Sequence, residues 1–194
     1  PFYVGLWWIA EPFIGVVYGE KWLPSAEPLR ILAIAGLFYI VARPCGVLLM
    51  AQNRLTQEMI AQAAMLAFTI CACLIGLEWG LAGVSWGILA SQVFGTCYYY
   101  LIAYRTIPTK FHDLLKSLAP GLILNTIMML ALFVAHNVTA PLKADNPGTY
   151  LLIMTFTGLA TYISAFFLVP IPSLKTEVSR WRQHINGTLS FSNK

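Results

Sequence analysis

Long apolar runs separated by short polar breaks make up most of the chain. A helix needs about 20 predominantly apolar residues to cross the hydrocarbon core of a bilayer. Six runs approach that length, over residues 1–18, 29–51, 57–77, 81–104, 117–137 and 149–170. A membrane barrel would show alternating segments of about ten residues instead. The pattern predicts an all-α, polytopic transmembrane bundle over 1–170, followed by a polar tail over 171–194.

The composition agrees with lipid as the main solvent. Of the 194 residues, 58% are hydrophobic and 10% are charged, whereas a soluble domain carries about 25% charged residues. Membrane lipids are therefore expected partners. Nucleic acid is not, because the basic residues are scattered between apolar runs and form no single stripe. The four cysteines also lie in apolar runs, and we interpret them as packing residues.

The placement of Lys and Arg predicts the orientation. Alternate loops of a six-span bundle lie on opposite sides, and basic residues favour the cytoplasmic side. Loops on one side carry three basic residues, within 19–30, 78–80 and 138–148. Loops on the other side carry eight, within 52–56, 105–116 and 171–194. The second side, with the C-terminus and its amphipathic tail, is expected to be cytoplasmic.

Two ionisable residues lie inside predicted spans, where a charge costs at least about 2.5 kcal/mol. Glu11 lies in the first span, which is expected to be kinked or broken at Pro12, and Arg43 precedes Pro44 in the second. At about 1.5 Å per residue they differ by roughly 10 Å in depth, so no direct salt bridge is expected. Either both face a shared wet cavity, or Arg43 snorkels to the nearer surface.

Other polar and small residues inside the spans have two interpretations each. Gln62, Gln92 and Asn125 either bind sugar hydroxyls or join helices by hydrogen bonds. Small residues in the fourth run predict a narrow face for close helix contact, at Gly83, Gly87, Ala90, Ser91 and Gly95.

The i, i+4 spacing of Arg54 and Glu58 predicts a surface ion pair at the start of the third span. No enzyme motif accompanies these residues. A DxD metal site, an HxxxxD acyltransfer motif and a nucleophile with a suitably spaced His and Asp are all missing from the sequence. We therefore expect no catalytic residue, no metal site and no cofactor.

Three stretches resemble a known family. They are "EPFIGVVYGEKWLPSAEPLRILAIA" over 11–35, "LLMAQNR" over 48–54 and "GLEWGLAGVSWGILASQ" over 76–92. Together they resemble the later half of bacterial polysaccharide flippases in the multidrug, oligosaccharidyl-lipid and polysaccharide exporter superfamily. The resemblance implies that the chain is the C-terminal six-helix lobe of a two-lobe transporter, whose N-terminal lobe belongs to the same polypeptide.

The resemblance also implies a function. Such a protein moves an undecaprenyl-pyrophosphate-linked oligosaccharide across the bacterial inner membrane for lipopolysaccharide or exopolysaccharide biosynthesis. Arg43 would contact the pyrophosphate and Glu11 would take a coupling proton or cation, with Gln62, Gln92 and Asn125 as further substrate-binding candidates. The alternatives are a drug or cation antiporter of the same superfamily and a non-transporting membrane scaffold. An antiporter would favour an acidic cavity residue, so Arg43 favours the flippase.

Overall fold

The computed structural model describes residues 1–106 and 111–168, and six α-helices account for most of these described residues. Their bounds are Phe2–Val17 (α1), Ala26–Ala51 (α2), Leu55–Gly76 (α3), Gly80–Thr106 (α4), Phe111–Asp145 (α5) and Pro147–Leu168 (α6). The described residues contain no strand, and the all-α fold class is confirmed. The predicted polar tail lies outside the described residues.

Four segments of the described chain are long and apolar enough to cross a membrane. They are Glu20–Ala51, Leu55–Ile102, Ala119–Ala140 and Pro147–Phe167, and the second contains α3 and most of α4. Helix α1 is apolar too, but is shorter at 16 residues. By length and composition, the chain is a multi-pass membrane protein.

The connection between α1 and α2 is set by glycine and proline. Gly19 has a φ of 88°, a conformation that disfavours other residues, and it ends α1. A 3-10 turn over Glu20–Ser25 follows, and α2 begins at Ala26. The first span was predicted to be kinked or broken at Pro12, and a break there is wrong, because α1 continues through that residue to Val17. Helix α2 likewise continues through Pro44.

Helices α3 and α4 form a close antiparallel hairpin. Gly80, with a φ of 67°, permits the reversal after a 3-10 turn. A Cβ added to Gly87 would lie 2.6 Å from the carbonyl oxygen of Ala72, so the two backbones nearly touch. Further along the hairpin, the hydroxyls of Thr69 and Ser91 share a short hydrogen bond.

The predicted narrow face is thereby confirmed at four of its five positions. Gly83 lies against Gly76, and Gly95 lies against the side chain of Met65, in addition to the contacts of Gly87 and Ser91. Ala90 is exposed and takes no part in the contact. Small residues let the helices approach closely enough for van der Waals packing to hold them together in lipid.

Helix α4 lies at the centre of one group of helices, packed against both α2 and α3. A second group consists of α5 and α6, whose core contains Met128, Leu132, Tyr150 and Met154. Helix α1 packs against α2 on one side and against α5 and α6 on the other. It therefore joins the two groups, and the polar features described next lie within the α2–α4 group.

Candidate functional site

A cavity of about 300 Å³ lies between α2, α3 and α4, and we call it the polar cavity. Each of the three helices contributes polar side chains to an otherwise apolar wall. Its lining residues are Tyr39, Ala42, Arg43, Gly46, Val47 and Met50 from α2, Glu58, Gln62 and Met65 from α3, and Gln92 and Tyr99 from α4.

Glu58 is the most deeply buried charged residue of the cavity, with 5% of its surface exposed. Its Oε1 accepts hydrogen bonds from the Tyr99 hydroxyl at 3.0 Å and from Nε2 of Gln62 at 2.8 Å. A Cβ at Gly46 would lie 3.0 Å from the same oxygen, so the glycine gives the carboxylate its space. The other oxygen, Oε2, is buried and has no hydrogen-bond partner among the described residues.

The burial of Glu58 is not apparent from the sequence. The predicted surface ion pair with Arg54 is wrong, because Glu58 is buried, and Nη1 of Arg54 lies 3.4 Å from Oε1 of Gln57. The available signal was the helical spacing of Glu58, Gln62 and Met65, which places all three on one face of α3. Its partner Tyr99 is 41 residues away in sequence, and no local pattern indicates that contact.

Arg43 brings the positive charge to this cavity. Its guanidinium carbon lies 5.3 Å from the centre of the Tyr39 ring, within the range of a cation–π contact. No ion pair joins it to Glu58, although both residues line the same cavity. Oε1 of Gln92 is buried and has no hydrogen-bond partner in the described part of the chain. The cavity thus combines one cation with two unpaired acceptor oxygens.

The predicted site residues separate into two sets. Arg43, Gln62 and Gln92 line the polar cavity, whereas Asn125 lies in α5 and does not. Nδ2 of Asn125 donates a hydrogen bond to the carbonyl oxygen of Gly121 at 2.8 Å, and its buried Oδ1 has no partner among the residues described. Gln62 donates its hydrogen bond to Glu58 within α3, and Glu58 in turn accepts one from Tyr99 in α4. Gln62 therefore helps to join α3 to α4 only indirectly.

Glu11 also lies away from the polar cavity. Its carboxylate forms an ion pair with Arg30 at 3.1 Å, which connects α1 to the first turns of α2. Both side chains are partly exposed. The expectation of one wet cavity shared by Glu11 and Arg43 is wrong, since only Arg43 lines the polar cavity. The predicted loop over 19–30 is too long, because α2 begins at Ala26 and includes Arg30.

The chain is similar in sequence to a membrane protein and to a lipopolysaccharide biosynthesis protein. It is 26% identical over 185 residues to an uncharacterized membrane protein in the cps region of Klebsiella pneumoniae, covering 94% of this chain and 37% of that protein. It is 31% identical over 108 residues to the lipopolysaccharide biosynthesis protein WzxC of Escherichia coli K12, covering 55% of this chain and 22% of that protein.

A third relative is named for teichuronic acid biosynthesis. The chain is 39% identical over 54 residues to the teichuronic acid biosynthesis protein TuaB of Bacillus subtilis 168, covering 28% of this chain and 11% of that protein. No family model and no solved structure matches the chain. The matched part of the chain spans between 11% and 37% of the length of these curated relatives. The matches confirm the resemblance noted in the sequence.

Proposed function

We propose that this chain is part of a membrane transporter of the polysaccharide-flippase type. The transporter flips undecaprenyl-pyrophosphate-linked oligosaccharides across the cytoplasmic membrane. The transported unit would serve lipopolysaccharide or exopolysaccharide biosynthesis, since one relative is named for lipopolysaccharide biosynthesis and another for teichuronic acid biosynthesis. The chain acts in the bacterial inner membrane with its C-terminus in the cytoplasm. It moves its substrate without catalysis, and an N-terminal lobe of the same polypeptide completes the substrate path.

The observation that carries this proposal is the chemistry of the polar cavity. A buried acceptor without a donor costs about 1–3 kcal/mol, and this cavity has one on Glu58 and one on Gln92. A ligand rich in hydroxyl groups supplies donors for both. Arg43 supplies a planar guanidinium, which suits phosphate oxygens. A sugar joined to a pyrophosphate presents both kinds of group.

The charges in the cavity set the orientation of the bound ligand. Glu58 repels an anion, so the pyrophosphate lies at the Arg43 side and the sugar hydroxyls lie toward Glu58 and Gln92. Pockets for small ligands enclose about 300–1,000 Å³, so a cavity of about 300 Å³ accommodates only part of the substrate. The remaining volume comes from the rest of the transporter.

Export measurements test the role of Arg43. The complete gene product that carries this chain is expressed in a bacterial host whose own flippase gene is deleted, and surface polysaccharide is quantified. Arg43→Ala should abolish export, because it removes the positive charge. Arg43→Lys should reduce export, because an ammonium group does not bind a phosphate through two parallel hydrogen bonds as a guanidinium does. Lys21→Ala, in the 3-10 turn between α1 and α2, is the control. Immunoblotting of membranes checks that all variants are present in equal amounts. Wild-type export by both Arg43 variants would exclude that residue from the mechanism.

One observation favours a second candidate, the drug or cation antiporter. Glu58 is a buried carboxylate in the same cavity, which is the acidic residue that an antiporter requires. Drug resistance conferred by the complete gene product, lost with Glu58→Gln, would favour the antiporter. Complementation of polysaccharide export in the deletion host, without any drug resistance, would favour the flippase. Neither activity from a correctly inserted protein would favour the scaffold.

A further inference from the structure

A second pocket, of about 240 Å³, lies between α3 and α4 at the end of the hairpin remote from its turn. We call it the two-arginine pocket. It is lined by Arg54, Gln57 and Ile60 on the α3 side and by Tyr98, Ile102 and Arg105 on the α4 side. None of these residues lines the polar cavity. The pocket is therefore a separate feature that the proposed transport function does not use.

Polar and apolar groups are ordered along the depth of this pocket. Arg54 immediately precedes α3, and Arg105 is the penultimate residue of α4, so both lie at helix ends. At about 1.5 Å per residue, Ile60 lies roughly 9 Å further along α3 and Ile102 roughly 4.5 Å further back along α4. A charged rim at the helix ends thus precedes an apolar wall toward the middle of the hairpin. The membrane–water interface has the same order, with headgroups outside and acyl chains inside.

The charge of the pocket favours an anion. Its lining contains two guanidinium groups and no acidic side chain among the described residues. An anion at this rim is attracted by both guanidinium groups. Arginine binds phosphate with two parallel hydrogen bonds, and the Gln57 side-chain amide can add a further donor. The loops at this end of the hairpin are also those on the predicted cytoplasmic side, which carry the larger share of basic residues.

We propose that the two-arginine pocket binds the phosphate headgroup of an anionic phospholipid, with an acyl chain lying against Ile60 and Ile102. Basic pockets between membrane helices on the cytoplasmic side are suited to such headgroups. The bound lipid would connect the ends of α3 and α4 where the chain supplies no glycine contact. This proposal does not depend on which substrate the polar cavity carries.

Native mass spectrometry of the detergent-purified complete gene product tests the proposal. Dioleoyl phosphatidylglycerol and dioleoyl phosphatidylcholine are titrated separately, and bound lipid is counted. At about 1 kcal/mol for each basic residue near the headgroup, Arg105→Gln should weaken phosphatidylglycerol binding about fivefold and the Arg54→Gln/Arg105→Gln double variant about thirtyfold. Phosphatidylcholine should bind weakly to all forms. Lys21→Gln removes one charge at the opposite end of the bundle and should leave binding unchanged.

Three results would overturn the proposal. The first is equal weakening by Lys21→Gln, which would indicate a general charge effect. The second is unchanged binding by the double glutamine variant. The third is displacement of phosphatidylglycerol by equimolar inorganic phosphate or pyrophosphate, which would identify a site for a soluble phosphate. If the double glutamine variant is not monodisperse, Arg54→Lys/Arg105→Lys takes its place. It should bind several-fold more weakly than wild type, and unchanged binding would also overturn the proposal.

Discussion

Gly87→Ala is the sharpest test of the α3–α4 hairpin. The added Cβ would lie 2.6 Å from the carbonyl oxygen of Ala72, 2.8 Å from its carbonyl carbon and 3.2 Å from the nitrogen of Cys73. All three atoms belong to the backbone, so no side-chain rotation relieves the contact. The two helices have to separate, and overpacking of this kind costs about 1–3 kcal/mol.

The chain provides a matched control for this substitution. Gly121 lies inside α5, and a Cβ added there meets nothing within 4 Å. Gly121→Ala should therefore show only the conformational benefit, which is about 0.5–1 kcal/mol in favour of alanine within a helix. Gly87→Ala gains the same benefit and loses the close contact. The two variants should differ by about 1–3 kcal/mol, with Gly87→Ala less stable.

Equilibrium unfolding of the complete gene product in mixed micelles of increasing dodecyl sulfate content measures this difference. Circular dichroism follows the loss of helix, and both variants are compared with wild type under the same conditions. A Gly87→Ala protein at least as stable as the Gly121→Ala protein would refute the close backbone contact in the hairpin. The glycines would then serve no packing role at that position.

Further substitutions separate the polar residues by function, all measured in the complete gene product. Tyr99→Phe removes a hydrogen bond from Glu58 and should cost about 1 kcal/mol in the same unfolding assay, whereas no change would refute a structural role for that bond. Gln92→Leu should reduce polysaccharide export more than Asn125→Leu, because only Gln92 lines the polar cavity; the opposite order would return Asn125 to the site. Glu11→Gln should destabilise by at most about 1 kcal/mol, since its pair with Arg30 is partly exposed. Export with an unchanged pH dependence in that variant would exclude Glu11 as the coupling group.

The helices follow from the sequence because lipid leaves few alternatives. Backbone groups in hydrocarbon must be bonded within the segment, so each long apolar run becomes a helix. The glycine face of α4 could also be predicted from the sequence, since the spacing of its small residues is visible within one apolar run. Local rules predicted helix ends less well. Arg30 was assigned to a loop, yet the short 3-10 turn after Gly19 lets α2 begin early enough to include it.

The composition of the polar cavity was only partly predictable. Arg43, Gln62 and Gln92 were noticeable because each is a polar residue inside an apolar run. Glu58 lies near a predicted span end, where charges are usually solvated, so its burial could not be inferred locally. Its environment depends on Gly46 in one helix and Tyr99 in another. Such contacts between residues far apart in sequence are decided by tertiary packing.

The hairpin has a mechanical consequence for the cavity beside it. Contacts at Gly87, at Thr69 with Ser91, and at Glu58 with Tyr99 tie α3 to α4 along most of their shared length. Helix α2 contributes the opposite wall and is held to α4 by a polar contact of 3.1 Å, between the Thr96 hydroxyl and the Phe38 carbonyl oxygen. Because α2 and α3 touch each other little and each packs closely on α4, a motion that widens the cavity separates α2, with Arg43 on it, from α3, while α4 remains the shared support.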